Sequence, residues 1–329
     1  MQGFSLVELM IALVLGLVVV GGAVAVLLSN KNSYRTNLAL AQVQENGRIA
    51  FELLSRDLRQ AGVTGCGNAG RVANVLNNGT SAGGTVAWYA DFGNAVRGYD
   101  GGTADPAVAS GTASAQRILA SSSLAMIGTA MASASISAYN PTTFAFTLTG
   151  ANPGIVAGDL VMICDPDHAT LAQISSISGS ALVVDTGTNA PGNCSRGLGF
   201  PTLCTAAGNS YVFGVNSLLS AVSATDWYIG NNPLGGRSLY RRTVVTTAGT
   251  PTPTSQEMVR NVTDLQATYH TVGAVDFVNA ATVTAADNWA DVDAVRIVLT
   301  LQGAERATGT EEQPITRQIS TTVNLRNRS

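Results

Sequence analysis

Lysine is nearly missing from this chain: Lys31 is its only one, and every other basic residue is arginine. Charged residues make up 12% of the chain and the formal net charge is -3, with no cluster of basic residues. A nucleic-acid partner needs concentrated positive charge to displace counterions, so that partner class is set aside. Metal-ligand spacing is missing too. There is no CxxC pair, and His168 and His270 stand far apart, so neither a zinc site nor any cofactor is expected. Asp100-Gly101-Gly102 and Asp105-Pro106 lack the rhythm of a calcium loop. A literal G-x-S-x-G at Gly79 to Gly83 is flanked by Asn77-Asn78 and Gly84-Thr85. A nucleophile elbow needs a strand before it and a helix after it, so no catalytic residue is expected there. His168, beside Asp165 and Asp167, is read as part of an Asx-type turn.

What is present begins at the N-terminus. From Phe4 to Leu28 the chain is apolar or small, and Glu8 is its only charged residue. As a helix this run is roughly 37 Å long, enough to cross a hydrocarbon core of about 30 Å. An acidic side chain inside such a span is costly and calls for a partner. All four cysteines, Cys66, Cys164, Cys194 and Cys204, lie beyond the span. An even count in a translocated domain favours two disulfides, with the pairing open. Cys194 and Cys204 flank a loop from Ser195 to Leu203, which favours that local pair and leaves Cys66 with Cys164.

The letters around Glu8 are more specific than its charge. Gly3-Phe4-Ser5-Leu6-Val7-Glu8, followed by the apolar run, resembles the processing site of type IV pilins and type II secretion pseudopilins. The resemblance implies cleavage after Gly3, N-methylation of Phe4, and a registration role for Glu8, which would meet the Phe4 amine of a neighbouring subunit. Two charges that are each costly in lipid would then satisfy one another. Met1-Gln2-Gly3 departs from the family in having no Lys or Arg before the glycine. Lys31 and Arg35 are the nearest basic residues, and they follow the span. By the positive-inside rule taken literally they would hold the rest of the chain in the cytoplasm. The expectation is therefore a start further upstream or a shortened leader.

Beyond the polar collar Ser29 to Ser33, Leu40, Val43, Gly47, Ala50, Leu54 and Ala61 recur at mostly three- and four-residue spacing, widened by Phe51 and Leu58. Arg48 with Glu52, and Glu52 with Arg56, are expected to pair at i,i+4 on the other side. Gly62 and Gly65 supply the helix end. One helix from Phe4 to about Ala61 is predicted, roughly 85 Å long. Residues 62 to 116 read as irregular with a few short strands. Strands are predicted at 117–119, 143–148, 159–164, 211–215, 226–229, 238–242, 265–269, 294–301 and 315–325, with a hairpin joining 172–177 to 181–184. The arginines of 238–242 are expected to face outward, and 256–262 reads as a strand or turn.

Several later segments add to the resemblance. Gly62 to Cys66, Asp226 to Asn232, Ser238 to Arg242, Trp289 to Ile297 and Val323 to Arg328 look like the PilW family of minor pilins. The fold expected is α+β and pilin-like, with a long N-terminal α-helix packed on an antiparallel β-rich head. Its parts are a leader remnant at 1–3, a transmembrane helix at 4–28, an amphipathic continuation at 29–61 and a periplasmic or extracellular head at 62–329. The function implied is a non-enzymatic minor pilin of the complex that primes pilus assembly and occupies the tip. Its implied partners are other minor pilins, the major pilin, the prepilin peptidase, the inner-membrane assembly platform and a tip adhesin. A minor pseudopilin of a type II secretion system and a membrane-anchored binding module outside any fibre are the alternatives.

Overall fold

The structure, a computed structural model, describes residues 5–67, 71–187, 190–306 and 314–325. Gly3 and Phe4 lie outside them, as do the closing residues from Arg326 onward. One helix, α1, runs unbroken over Leu6–Gln60. Its start is a capping box: the Ser5 hydroxyl accepts from the Val7 amide at 3.2 Å, and the Glu8 carboxylate accepts from the Ser5 amide at 3.0 Å. Its end is set by backbone geometry. Gly62 adopts φ 76° and its amide donates to the Ile127 carbonyl at 2.8 Å. A Cβ on Gly128 would lie 2.1 Å from the Gln60 carbonyl oxygen, so the helix terminus meets the head where the head has no side chain.

The larger sheet contains β1 (Val72–Asn74), β2 (Val96–Tyr99), β3 (Ser123–Asn140), β4 (Ala145–Leu148), β5 (Leu160–Cys164), β6 (Ala169–Gln173), β7 (Ser176–Ser178) and β8 (Ala181–Val183), together with β9 (Leu218–Asn231), β10 (Arg237–Thr247) and β11 (Thr250–Arg260). Its spine runs β1-β6-β5-β9-β3-β4-β8-β7, with β10 joining β9 to β11 and β2 on β3. The pairings are antiparallel apart from β1 with β6. A second, three-stranded antiparallel sheet holds β12 (Val262–Thr271), β13 (Val292–Arg306) and β14 (Pro314–Asn324). A short helix, α2 (Ala280–Ala286), sits between β12 and β13 with Asn279 as its N-cap.

The outer part of α1 lies where the two sheets meet. Val43, Ala50, Leu54 and Leu58 share one buried cluster with Leu124, Met126 and Trp227 from the large sheet and Ile297, Leu299 and Val323 from the small one. Both sheets thereby cover an apolar face, the usual reason for a two-layer α+β arrangement. Gly47 permits the closest approach, since a Cβ there would sit 2.5 Å from Ile319 Cδ1.

Several strand expectations need correction. Residues 117–119 are not a strand: Arg117 alone forms isolated bridges, and its side chain is drawn inward. Residues 211–215 have no ladder partner; Tyr211 and Phe213 instead pack edge-on, with centroids 4.9 Å apart, beside His168. Of the 172–177 segment only 176 and 177 enter the hairpin with β8, joined there by Ser178, while 172 and 173 belong to β6 against β5. The long β3 had no counterpart among the expected strands. Arg48 pairs with Glu45 at 2.8 Å, not with Glu52, an equally reachable neighbour one turn back.

Candidate functional site: the bare half of the long helix and its joint to the head

From Leu6 to Leu38 the side chains of α1 are solvent-facing with hardly a break; Leu6 is 76% exposed and Leu17 71%. This is the one helix among the described residues long and apolar enough to cross a membrane. A continuous exposed apolar surface of this length is far beyond what a soluble monomer carries, so it has to be covered by lipid or by other subunits. Glu8 stands near its start. In the single subunit its carboxylate accepts from the Ser5 amide.

The joint at the other end is built on one acid that periodicity did not single out. Asp57 lies on the buried face between Leu54 and Leu58, only 8% exposed. It accepts from Trp227 Nε1 at 2.9 Å, Arg241 Nε at 2.7 Å and an Arg241 terminal nitrogen at 3.2 Å. Three donors from adjacent strands on one carboxylate make a strong, oriented, charge-assisted contact. The expected outward arginines are thus corrected: Arg241 turns onto the helix, and Arg242 donates to the Ser255 hydroxyl at 2.9 Å. The signal was in the sequence, since Leu54, Asp57, Leu58 and Ala61 share one helical face. A carboxylate placed there among apolar residues has to find buried donors.

Just past the joint, Cys66 is bonded to Cys164 at the end of β5, and Cys194 to Cys204 closes a separate loop. The first bond spans 98 residues and ties the segment after α1 to the large sheet. Behind that sheet is a polar core. Arg117, fully buried, donates to the carbonyls of Thr103 and Ser121 at 2.7 Å each. Asp105 accepts from the Ser123 hydroxyl, and Asp226 is buried with both carboxylate oxygens lacking a hydrogen-bond partner among the described residues. Burial, reinforced by Asp105, pushes the Asp226 carboxyl well above its ordinary range despite Arg117 and Arg242.

The candidate chemistry read from sequence is not assembled. Gly79 to Gly83 lies in bends and turns with no helix after it. Asp165 accepts from the amides of Asp167 and His168, closing a turn, and accepts from the Tyr211 hydroxyl at 2.6 Å. The His168 ring contacts the Leu198 carbonyl at 2.6 Å and the Thr170 hydroxyl at 3.1 Å. Burial lowers its pKa. Among the described residues no three His, Cys, Asp or Glu side chains come together as metal ligands.

Comparison with known families gives two matches. The family described as Prokaryotic N-terminal methylation motif covers residues 1–24, and the family described as Type IV Pilus-assembly protein W covers residues 226–327. No curated protein and no solved structure matches the chain. The first match ends within the bare apolar half of α1, where a prepilin motif on such a helix fits an inner-membrane anchor. The second begins at Asp226, beside the Trp227 that donates to Asp57, and takes in Arg241 and the whole small sheet. Pilin motif and head are thus joined through the same helix, and the chain is type IV pilin-like, with a prepilin-type methylation motif at its start and a segment similar to the PilW family in its head.

Proposed function

We propose that this chain is a minor pilin of the complex that primes type IV pilus assembly and remains at the pilus tip, acting by position and contact and not by catalysis. The observation that carries the reading is the division of α1 into a bare apolar half bearing Glu8 and a half fixed rigidly to the head. Before assembly the bare half would anchor the subunit in the inner membrane with the head in the periplasm; afterwards it would become part of the fibre core. A head with fourteen strands among the described residues is easier to accommodate at the end of a fibre, with no subunit above it, than within a close-packed shaft. The partners that follow are other minor pilins, the major pilin, the prepilin peptidase, the assembly platform and a tip adhesin.

Cleavage after Gly3 would leave Phe4 with a free α-amino group, and Glu8 of the neighbouring subunit would exchange its own Ser5 amide for that cation. A charge pair away from water outweighs a neutral amide cap worth about 1 kcal/mol. Mass spectrometry of the mature protein tests the processing step: the expected N-terminus is N-methylated Phe4, and an intact Met1 sinks it. A Glu8→Ala change is expected to reduce surface pili while the membrane level of the subunit stays the same. Loss of exoprotein secretion with pili intact would instead assign the chain to type II secretion.

A further inference from the structure

The face of the large sheet turned away from α1 carries a cleft of about 330 Å³, built mostly from a segment that neither family match reaches. Strand alternation separates the two faces: Leu124 and Met126 of β3 pack with the helix, whereas Ala125 and Ile127 form the cleft floor. Two 3-10 turns, Trp88–Ala90 and Phe92–Asn94, bring Trp88, Asp91 and Asn94 to the rim, and β2 adds Arg97 and Tyr99.

The polar wall is held in place before any ligand arrives. Asn94 Nδ2 donates to both Asp91 oxygens, at 3.3 and 3.0 Å, and an Arg97 terminal nitrogen reaches the same carboxylate at 3.4 Å. Asp91 is mostly covered, whereas Arg97 keeps 37% of its side chain exposed. Trp88 is 9% exposed, with Tyr89 edge-on to it at 5.8 Å. The cleft therefore offers aromatic surface beside a carboxylate, an amide and a guanidinium, each planar and each able to engage two neighbouring polar atoms.

That combination matches a pyranose, which has a face of C–H bonds and a rim of adjacent hydroxyls that both donate and accept. Size limits the choice, because about 300 Å³ is the lower end of small-molecule sites and holds one or two sugar rings. Charge limits it further. The cation at the rim already faces an anion, so the site offers no unpaired charge to a phosphate or a carboxylate ligand. We propose that this cleft binds a neutral pyranose residue of a saccharide, with Trp88 and Tyr99 providing the apolar wall and Asp91, Asn94 and Arg97 reading the hydroxyls. This site is independent of how the helix assembles.

The test uses the full chain in a detergent without a sugar headgroup. Glucose, galactose, mannose and their N-acetylamino forms are titrated to about 50 mM, the weak-binding range in which single sugars fall. Binding is followed by ligand-observed NMR and tryptophan fluorescence, with inorganic phosphate and N-acetylneuraminic acid as charged probes. Saturable binding of a neutral sugar is expected, weakened about tenfold in Asn94→Ala, the loss of roughly one hydrogen bond. Arg97→Gln, which removes the half-exposed guanidinium that reads the hydroxyls, provides the same comparison if Asn94→Ala does not melt like the parent. No saturation by any neutral sugar, binding of the charged probes alone, or unchanged affinity in the natively melting variant each overturns the proposal.

Discussion

The two halves of α1 share one continuous hydrogen-bond ladder and differ in what their side chains meet. From Leu6 to Leu28 the helix is almost wholly apolar, and it buries nothing. From Ala39 to Leu58 it is richer in small and charged residues, yet it supplies the centre of the main core. Apolarity therefore does not mark the packed half; shape and pairing do. Gly47 and Ala50 let strands come close, Leu54 and Leu58 fill the space between sheets, and Asp57 fixes the rotation of the helix through Trp227 and Arg241. The bare half has no such features, and its one polar device, Glu8 with Ser5, serves the helix end alone. One half is specified against a single partner surface, and the other leaves its partners to be supplied.

The change with the largest expected effect breaks the packed half at its polar point. Asp57→Ala leaves the Arg241 guanidinium and the Trp227 indole N–H facing each other without their acceptor. Removing one member of a buried pair costs about 3 to 5 kcal/mol, and the lower end applies because Arg241 keeps 29% of its side chain exposed. Chemical denaturation of the full chain in detergent should show the loss as a lower midpoint. Asp57→Asn, which can still accept from the indole, should recover part of it.

A smaller effect sharpens the contrast by acting on the head away from the helix. His168 is 3% exposed, and desolvation holds its pKa below the ordinary value of about 6.5, against the opposing hydrogen bond with Leu198. The unfolded chain thus takes up a proton where the folded one does not. The contribution to stability is whole above about pH 6.5 and is lost as the pH falls through the folded value. His270 behaves oppositely, since its contact with Asp293 at 2.6 Å raises its pKa, so its contribution is whole in acid and is lost as the pH rises through that raised value. Melting temperatures between about pH 5 and 8 should fall less steeply on acidification in His168→Gln than in the parent. An unchanged slope would mean that another group carries the acid sensitivity.

Much of this was legible because it depends on short-range pattern. The apolar stripe of the outer helix, the Gly62 stop and the strands ending in β13 and β14 all follow from spacing and turn chemistry. What escaped was set by distant partners. β3 reads Ser-Leu-Ala-Met-Ile-Gly-Thr-Ala across Ser123 to Ala130, a small-residue run with modest strand preference, and becomes the longest strand because β9, β2 and β4 pair along it. Residues 211–215 have the reverse fate, with strand-like alternation but aromatic side chains spent on His168. Arg117 and Arg241 look like surface charges in sequence; one is buried among carbonyls and the other faces Asp57 across the core. The bare half of α1 and Glu8 were visible at once, since nothing in the subunit has to be folded around them.

The smallest expected effect is the most discriminating. Leu13 is 60% exposed in the bare half, and Leu54 is fully buried in the packed half of the same helix. Both are leucines in regular helix, so Leu→Ala changes local propensity only slightly and to a similar degree at each. At Leu54 the substitution also opens a cavity among Leu124, Trp227 and the small sheet, at a cost of about 2 to 5 kcal/mol. At Leu13 no head residue is touched, so the melting of the head should stay within about 0.5 kcal/mol of the parent. The loss should appear elsewhere, as fewer subunits recovered in sheared fibres, because the surface that Leu13 presents is completed only by neighbours. A head destabilised by Leu13→Ala as much as by Leu54→Ala would mean that the bare half folds back on its own subunit, and the division of α1 into an anchored half and an offered half would be wrong.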